Sequence, residues 1–111
     1  MTIRDRIAKH QRELRDGALT PDMTREALIQ LTALFGNVME EQRAADHLYK
    51  LVLLNAYKTE ETVNRAKLVA EVSPEYQRAA EARDTGRLVL ELIRSCKRYL
   101  QSLDEEMRLA K

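Results

Sequence analysis

The residues best suited to acid–base or nucleophilic chemistry are His10, His47 and the single cysteine, Cys96. His47 follows Asp46 directly, and because adjacent residues of a helix project about 100° apart, this carboxylate cannot orient the imidazole. His10 has no Ser, Cys or carboxylate partner in a recognisable catalytic arrangement, and the chain carries no glycine-rich loop, HExxH or paired-cysteine motif. We expect both histidines at surface or boundary positions and Cys96, which lies among apolar residues, in the core. The chain is therefore predicted not to be an enzyme.

Acidic residues are the remaining candidates for chemistry, because facing helices of all-α enzymes can present carboxylates to one metal ion. The candidates are the acidic residues of predicted helices: Glu40, Glu41, Asp46, Glu60, Glu61, Asp84 and Glu91. The segment EEQRAAD at 40–46 resembles the acidic helix motifs of MazG-like nucleotide pyrophosphohydrolases, which implies metal-dependent nucleotide hydrolysis. The segment does not supply the ExxE pair of those motifs, so hydrolysis is kept only as an alternative. We expect no metal, no cofactor and no small-molecule substrate.

Four arginines near the C-terminus share one side of a predicted helix, and we call them the arginine stripe: Arg83, Arg87, Arg94 and Arg98. At about 100° per residue they fall within a sector of roughly 60°, opposite the apolar side of the helix. Because guanidinium groups bind phosphates and carboxylates alike, the stripe suits a nucleic-acid backbone or an acidic protein surface. Solvation of a polar helix face explains the same pattern, and Glu91 and Glu105 border the stripe. The net charge of +1 gives no general attraction to nucleic acid.

The composition of the chain, and the residues that begin or end helices, place these side chains on helices. Charged residues make up 33% of the 111 residues and aromatic residues 5%, which suits long solvated helices better than a sheet. Gly17 is positioned to end a first helix, Thr20 with Pro21 to begin a second, and Ser73 with Pro74 to begin the last. We predict one all-α domain over 1–111, with helices at about 2–16, 21–71 and 74–109 and a turn at 72–73.

Mostly apolar and small residues recur in steps of three and four through 28–70, among them Leu31 and Val38, and again through 82–103, among them Val89. A seven-residue repeat of this length predicts coiled-coil-like packing, and a short connection favours antiparallel neighbours. The second and last helices are therefore predicted to form a long hairpin, beside the short N-terminal helix. A reversal at 72–73 would set Tyr49 opposite Cys96.

The segment LYKLVLL at 48–54 is apolar on more than one face, and we call its leucines the leucine cluster: Leu48, Leu51, Leu53 and Leu54. A two-helix hairpin buries only one side of each helix, so part of this cluster should remain exposed. The N-terminal helix, a second copy of the chain or the functional target are the three candidates to cover it. We expect a homodimer that completes a helical bundle, and a protein partner that contacts the leucine cluster and the arginine stripe.

From about Tyr57 onward the chain contains a charged helical segment, the turn sequence SPEY at 73–76 and a return helix ending in LIRSCKRYLQSLDEEMR. In these features it resembles small helical-hairpin proteins encoded by bacteriophages and prophages. The resemblance implies a phage-encoded accessory protein of replication or recombination, or an inhibitor of a host defence complex, as anti-CRISPR proteins are. It assigns no role to an individual residue.

The chain is expected to be cytoplasmic, because no apolar run reaches the roughly 18 to 20 residues of a membrane span and the N-terminal residues are charged. Three hypotheses of function follow. The leading one is a protein-binding helical module. The alternatives are nucleic-acid binding through the arginine stripe and metal-dependent nucleotide hydrolysis.

Overall fold

A computed structural model describes residues 2–15, 17 and 20–110 of the chain. Its four helices are α1 (Ile3–Arg15), α2 (Pro21–Thr59), α3 (Val63–Glu71) and α4 (Pro74–Leu109). The long helices α2 and α4 pack against each other, so the predicted all-α hairpin is confirmed. Within the described part of the chain, no helix is both long and apolar enough to cross a membrane.

The first helix is fixed at both ends by local interactions. The Thr2 amide donates to Asp5 Oδ2 at 3.2 Å, and the Asp5 amide donates to Thr2 Oγ1 at 3.1 Å, which forms a reciprocal N-terminal cap. Gly17 has a φ of 64°, in the left-handed region that glycine adopts without steric cost. The helix predicted at 2–16 is thus present over Ile3–Arg15, and Asp16 lies outside the described residues.

The predicted starts of the two long helices are confirmed. Thr20 Oγ1 accepts a hydrogen bond from the Met23 amide at 3.2 Å, and α2 begins at the next residue, Pro21. Ser73 Oγ accepts from the Tyr76 amide at 3.2 Å, and α4 begins at Pro74. In each case the cap satisfies an amide that has no partner within the helix, and proline occupies a position where its missing N–H costs nothing.

The prediction of one helix from 21 to 71 is wrong, because α2 ends at Thr59 and α3 begins at Val63. Thr62 has extended backbone angles, and its Oγ1 accepts the Arg65 amide at 3.1 Å. A threonine that caps a new helix competes with continuation of the old one. The chain therefore breaks at 60–62 as well as at 72–73.

The described chain divides into two compact units, of which one is Asn37–Gly86. In this unit α2 and α4 run side by side with Arg83 next to Asp46, joined by a 3.1 Å hydrogen bond. The rings of Tyr49 and Tyr76 meet edge to face with centroids 5.2 Å apart. The prediction that Tyr49 lies opposite Cys96 is wrong, because the chain reverses over 60–73, including α3, and not at 72–73 alone.

The buried residues of Asn37–Gly86 are mostly small. They comprise one valine, five alanines and one glycine: Val38, Ala45, Ala56, Ala66, Ala70, Ala79 and Gly86. Alanine lets helix backbones approach closely, and it leaves little room for large apolar side chains between them. The larger apolar residues of this unit consequently lie outside the contact between the helices.

The other unit comprises Met1–Gly36 and Arg87–Lys111. Its described core is made of larger side chains from α1, the start of α2 and the later part of α4: Ile7, Ala27, Leu31, Leu34, Val89, Leu92, Ile93 and Cys96. Cys96 is fully buried, as predicted, and burial raises the pKa of its thiol. Whether the whole chain acts as one domain stays a prediction.

Candidate functional site

The leucine cluster lies on α2 within Asn37–Gly86, and most of it is exposed. Leu48, Leu51 and Leu54 expose 41%, 50% and 51% of their surface, and Leu53 is half-buried. Exposed leucines are common singly, but three within seven residues form a continuous apolar strip. The surplus apolar surface expected from the sequence is present, and its use in binding stays a prediction.

The helical spacing explains why these leucines face outward. Ala45 and Ala56 are buried on the inner side of α2. At about 100° per residue, Leu54 projects nearly opposite to them and Leu51 within roughly 60° of Leu54. The small alanines fill the helix interface, so the leucines are not needed for the core.

Between positions 43 and 58, the exposed charged residues beside the leucines are basic. Arg43, His47, Lys50 and Lys58 are exposed on the same side of α2 as Leu51 and Leu54. The one acidic residue between positions 43 and 58 is Asp46, which is half-buried and paired with Arg83. We call the leucine cluster with Arg43, Lys50 and Lys58 the basic leucine face. Its basic character was not predicted from the sequence, because the contact that engages Asp46 joins two different helices.

Helix α3 also exposes apolar residues. Its buried face consists of Ala66 and Ala70, whereas four larger residues on or beside it are exposed: Val63, Leu68, Val69 and Val72. Positions 63–70 were predicted to continue the heptad repeat of one long helix, so the exposure of these side chains was not predicted. The signal was available, since Leu68, Val69 and Val72 fall outside that repeat.

The arginine stripe is exposed, but Arg83 and Arg94 have carboxylate partners and Arg87 is engaged as well. Arg83 Nη2 donates to Asp46 Oδ1 across to α2, and Arg94 Nη1 donates to Glu91 Oε1 at 3.0 Å within α4. Exposed ion pairs of this kind contribute about 0 to 1 kcal/mol each. Arg83 belongs to Asn37–Gly86, whereas Arg87, Arg94 and Arg98 belong to the other unit. The structure therefore gives less support to a four-arginine binding surface than to the basic leucine face.

The candidate metal ligands do not converge among the residues that the structure describes. No group of three or more His, Cys, Asp or Glu side chains in 2–15, 17 and 20–110 is arranged to hold a metal ion. Glu40 and Glu41 are exposed on α2, and Glu91 accepts the hydrogen bond from Arg94.

The two histidines differ in environment. His47 is exposed, as expected, but the expectation of a surface or boundary position is wrong for His10, which is 6% exposed. Glu13 Oε2 lies 3.7 Å from His10 Nδ1, too far for a hydrogen bond, and Nδ1 has no hydrogen-bond partner. Its spacing could have indicated burial, because His10 lies three residues after Ile7 and four before Leu14, on the apolar side of α1.

Comparison of the chain with protein-family models, with curated proteins and with solved structures yields no match.

Proposed function

We propose that this chain is a non-enzymatic helical protein that binds another protein through the basic leucine face. The partner would present an apolar groove bordered by acidic side chains. The observation that carries the proposal is the half-exposed strip Leu48, Leu51 and Leu54, which lies on α2 among the exposed basic residues of positions 43–58.

The apolar strip supplies the affinity in this proposal. Complete burial of a leucine contributes roughly 1.5 to 3 kcal/mol, so covering the exposed half of each leucine contributes about 1 kcal/mol. An amphipathic helix laid into a groove uses apolar anchors at this three- and four-residue spacing. Leu51 and Leu54 have the spacing and the exposure of such anchors.

The basic residues supply the selectivity. Arg43, Lys50 and Lys58 would attract a groove with an acidic border and repel one with a basic border, because charges at an interface rim mainly affect association and discrimination. The same charges are compatible with a phosphate backbone. A nucleic acid, however, would not require the leucines, and its binding would fall steeply with salt.

The test is affinity capture from the source cells with the wild-type chain, followed by measurement of Kd with the purified partner. Leu54→Asp and Lys50→Glu should each weaken binding, the former by at least about tenfold because it also places a charge in an apolar groove. Ile29→Asp is the matched control, since Ile29 is a 70% exposed apolar residue of the same helix in the other unit.

Equal affinity of Leu54→Asp and wild type for the partner would contradict the proposal. Light scattering on the same variants distinguishes a second copy of the chain as the occupant, because a dimer dissociated by Leu54→Asp would mean that the leucines serve self-association. A mobility shift of nucleic acid that survives Leu54→Asp but not Lys50→Glu would favour the nucleic-acid alternative. The phage source, the inhibitor role, the cytoplasmic location and the homodimer stay predictions.

A further inference from the structure

Helix α1 is held by few buried side chains. Ile7 at 2% and His10 at 6% exposure are its two buried residues, and the rest of its described residues are exposed or half-buried. A 13-residue helix is marginal in water without tertiary contacts. The docking of α1 therefore depends strongly on these two side chains.

The surroundings of His10 favour its neutral form. Its ring borders a cavity of about 180 Å³ formed by α1 and α2, whose charged lining residues are Lys9 and Glu13 from α1 and Glu26 from α2. Met23, Ala27 and Gln30 of α2 complete the lining with His10 itself. No acceptor lies within hydrogen-bond distance of Nδ1, so a second ring proton there would have no direct partner.

Burial lowers the pKa of His10 below 6.5, its ordinary value. Among the charges, Glu13 opposes this shift and Lys9 adds to it, and both are smaller influences than burial. A lowered pKa means that the docked state binds its proton more weakly than the undocked state. The contribution of neutral His10 to docking is thus fully present above about pH 6.5 and is lost as the pH falls through the lowered pKa.

We propose that α1 is an acid-released arm: protonation of the buried His10 detaches α1 from α2 and uncovers the side of α2 that carries Met23 and Ala27. The release is local, because the second unit, Asn37–Gly86, contains neither α1 nor His10. The cap formed by Thr2 and Asp5 lies outside the docking contact and does not depend on His10.

The test is amide hydrogen exchange of α1 between about pH 7.5 and about pH 5, corrected for intrinsic exchange, with α3 as the internal reference. In the wild type the opening constant of α1 should rise by up to about tenfold per pH unit, the limit for one proton, while α3 remains constant. His10→Leu, which replaces the imidazole with an apolar side chain of similar size that cannot take up a proton, should remove the rise. His47→Gln is the matched control, because it removes the exposed histidine and should leave the rise intact.

A second variant keeps the proposal testable if His10→Leu fails to dock α1. Glu13→Gln removes the carboxylate that stabilises the protonated ring, so α1 should open further at acidic pH than in the wild type. A rise of the same size in His10→Leu, or no rise in the wild type, would overturn the proposal. An NMR titration in which His10 takes up its proton above pH 6.5 would overturn it as well.

Discussion

Replacement of Gly86 tests how closely α4 approaches α2 within Asn37–Gly86. A Cβ added at this buried glycine would lie 3.2 Å from Gln42 Oε1 and 3.7 Å from Val38 Cγ1. The first distance is tight, but the atom concerned is the end of a flexible side chain. Alanine at Gly86 therefore fits if Gln42 moves by a few tenths of an ångström, whereas a larger side chain would have to displace Val38 or the helix.

The expected free energies follow from two opposing effects. Alanine is favoured over glycine in a helix interior by about 1 kcal/mol. Gly36 on α2 is the control, because a Cβ there meets nothing within 4 Å, so Gly36→Ala should show the full gain. Gly86→Ala should stabilise less, and Gly86→Leu should destabilise by about 1 to 3 kcal/mol, the usual cost of overpacking a core. Gly36→Leu should cost nothing comparable, because its side chain extends into open space.

Urea unfolding followed by circular dichroism measures these differences, and hydrogen exchange of α3 and the start of α4 reports whether the loss is local to Asn37–Gly86. An equal free energy of unfolding for Gly86→Leu and Gly36→Leu would contradict this expectation. That result would mean that Gly86 does not face Gln42 and that α2 and α4 are paired in a different register.

Three further predictions concern the other contacts that define the fold. Thr62→Ala should lower stability by about 1 kcal/mol and increase exchange of the α3 amides, because it removes the cap on the Arg65 amide; unchanged exchange would argue against the cap. A double-mutant cycle with Arg83→Met and Asp46→Asn should give a coupling of about 0.5 kcal/mol that decreases with salt, and a coupling of several kcal/mol would contradict the exposed geometry. Cys96 should resist a thiol reagent in the native chain and react after unfolding, and rapid native labelling would show that it is not buried.

The helix starts could be predicted from the sequence because they depend on local chemistry. Thr20 with Pro21 and Ser73 with Pro74 each combine a side-chain acceptor with a residue whose fixed φ suits the first turn. The burial of Leu31, Val38 and Val89 also followed from periodicity, since each lies on the predicted repeat.

The break at 60–62 and the helix register could not be predicted in the same way. The cap at Thr62 lacks a proline or glycine, and threonine is also tolerated inside helices, so the local sequence permits either continuation or a new start. The register then depended on where the chain reverses. Once the reversal includes α3, Tyr49 lies beside Tyr76 and no longer faces Cys96.

The candidate site was predictable in part. The apolar excess of the leucine cluster is visible in the sequence, because Leu48, Leu51, Leu53 and Leu54 cannot all share one inner face. Its basic surroundings depend on Asp46 being engaged by Arg83, a contact across helices that only the correct register provides. The same contact pairs Arg83, one of the four arginines predicted to bind a partner, with a carboxylate of α2.

Lysine footprinting would locate the partner on the surface of the chain. In the complex with the captured partner, Lys50 and Lys58 of the basic leucine face should be protected from acetylation relative to the isolated chain, while Lys97, exposed on α4 in the other unit, should react as before. Protection of Lys97 with unchanged reactivity of Lys50 and Lys58 would place the partner on another surface and contradict the proposed function.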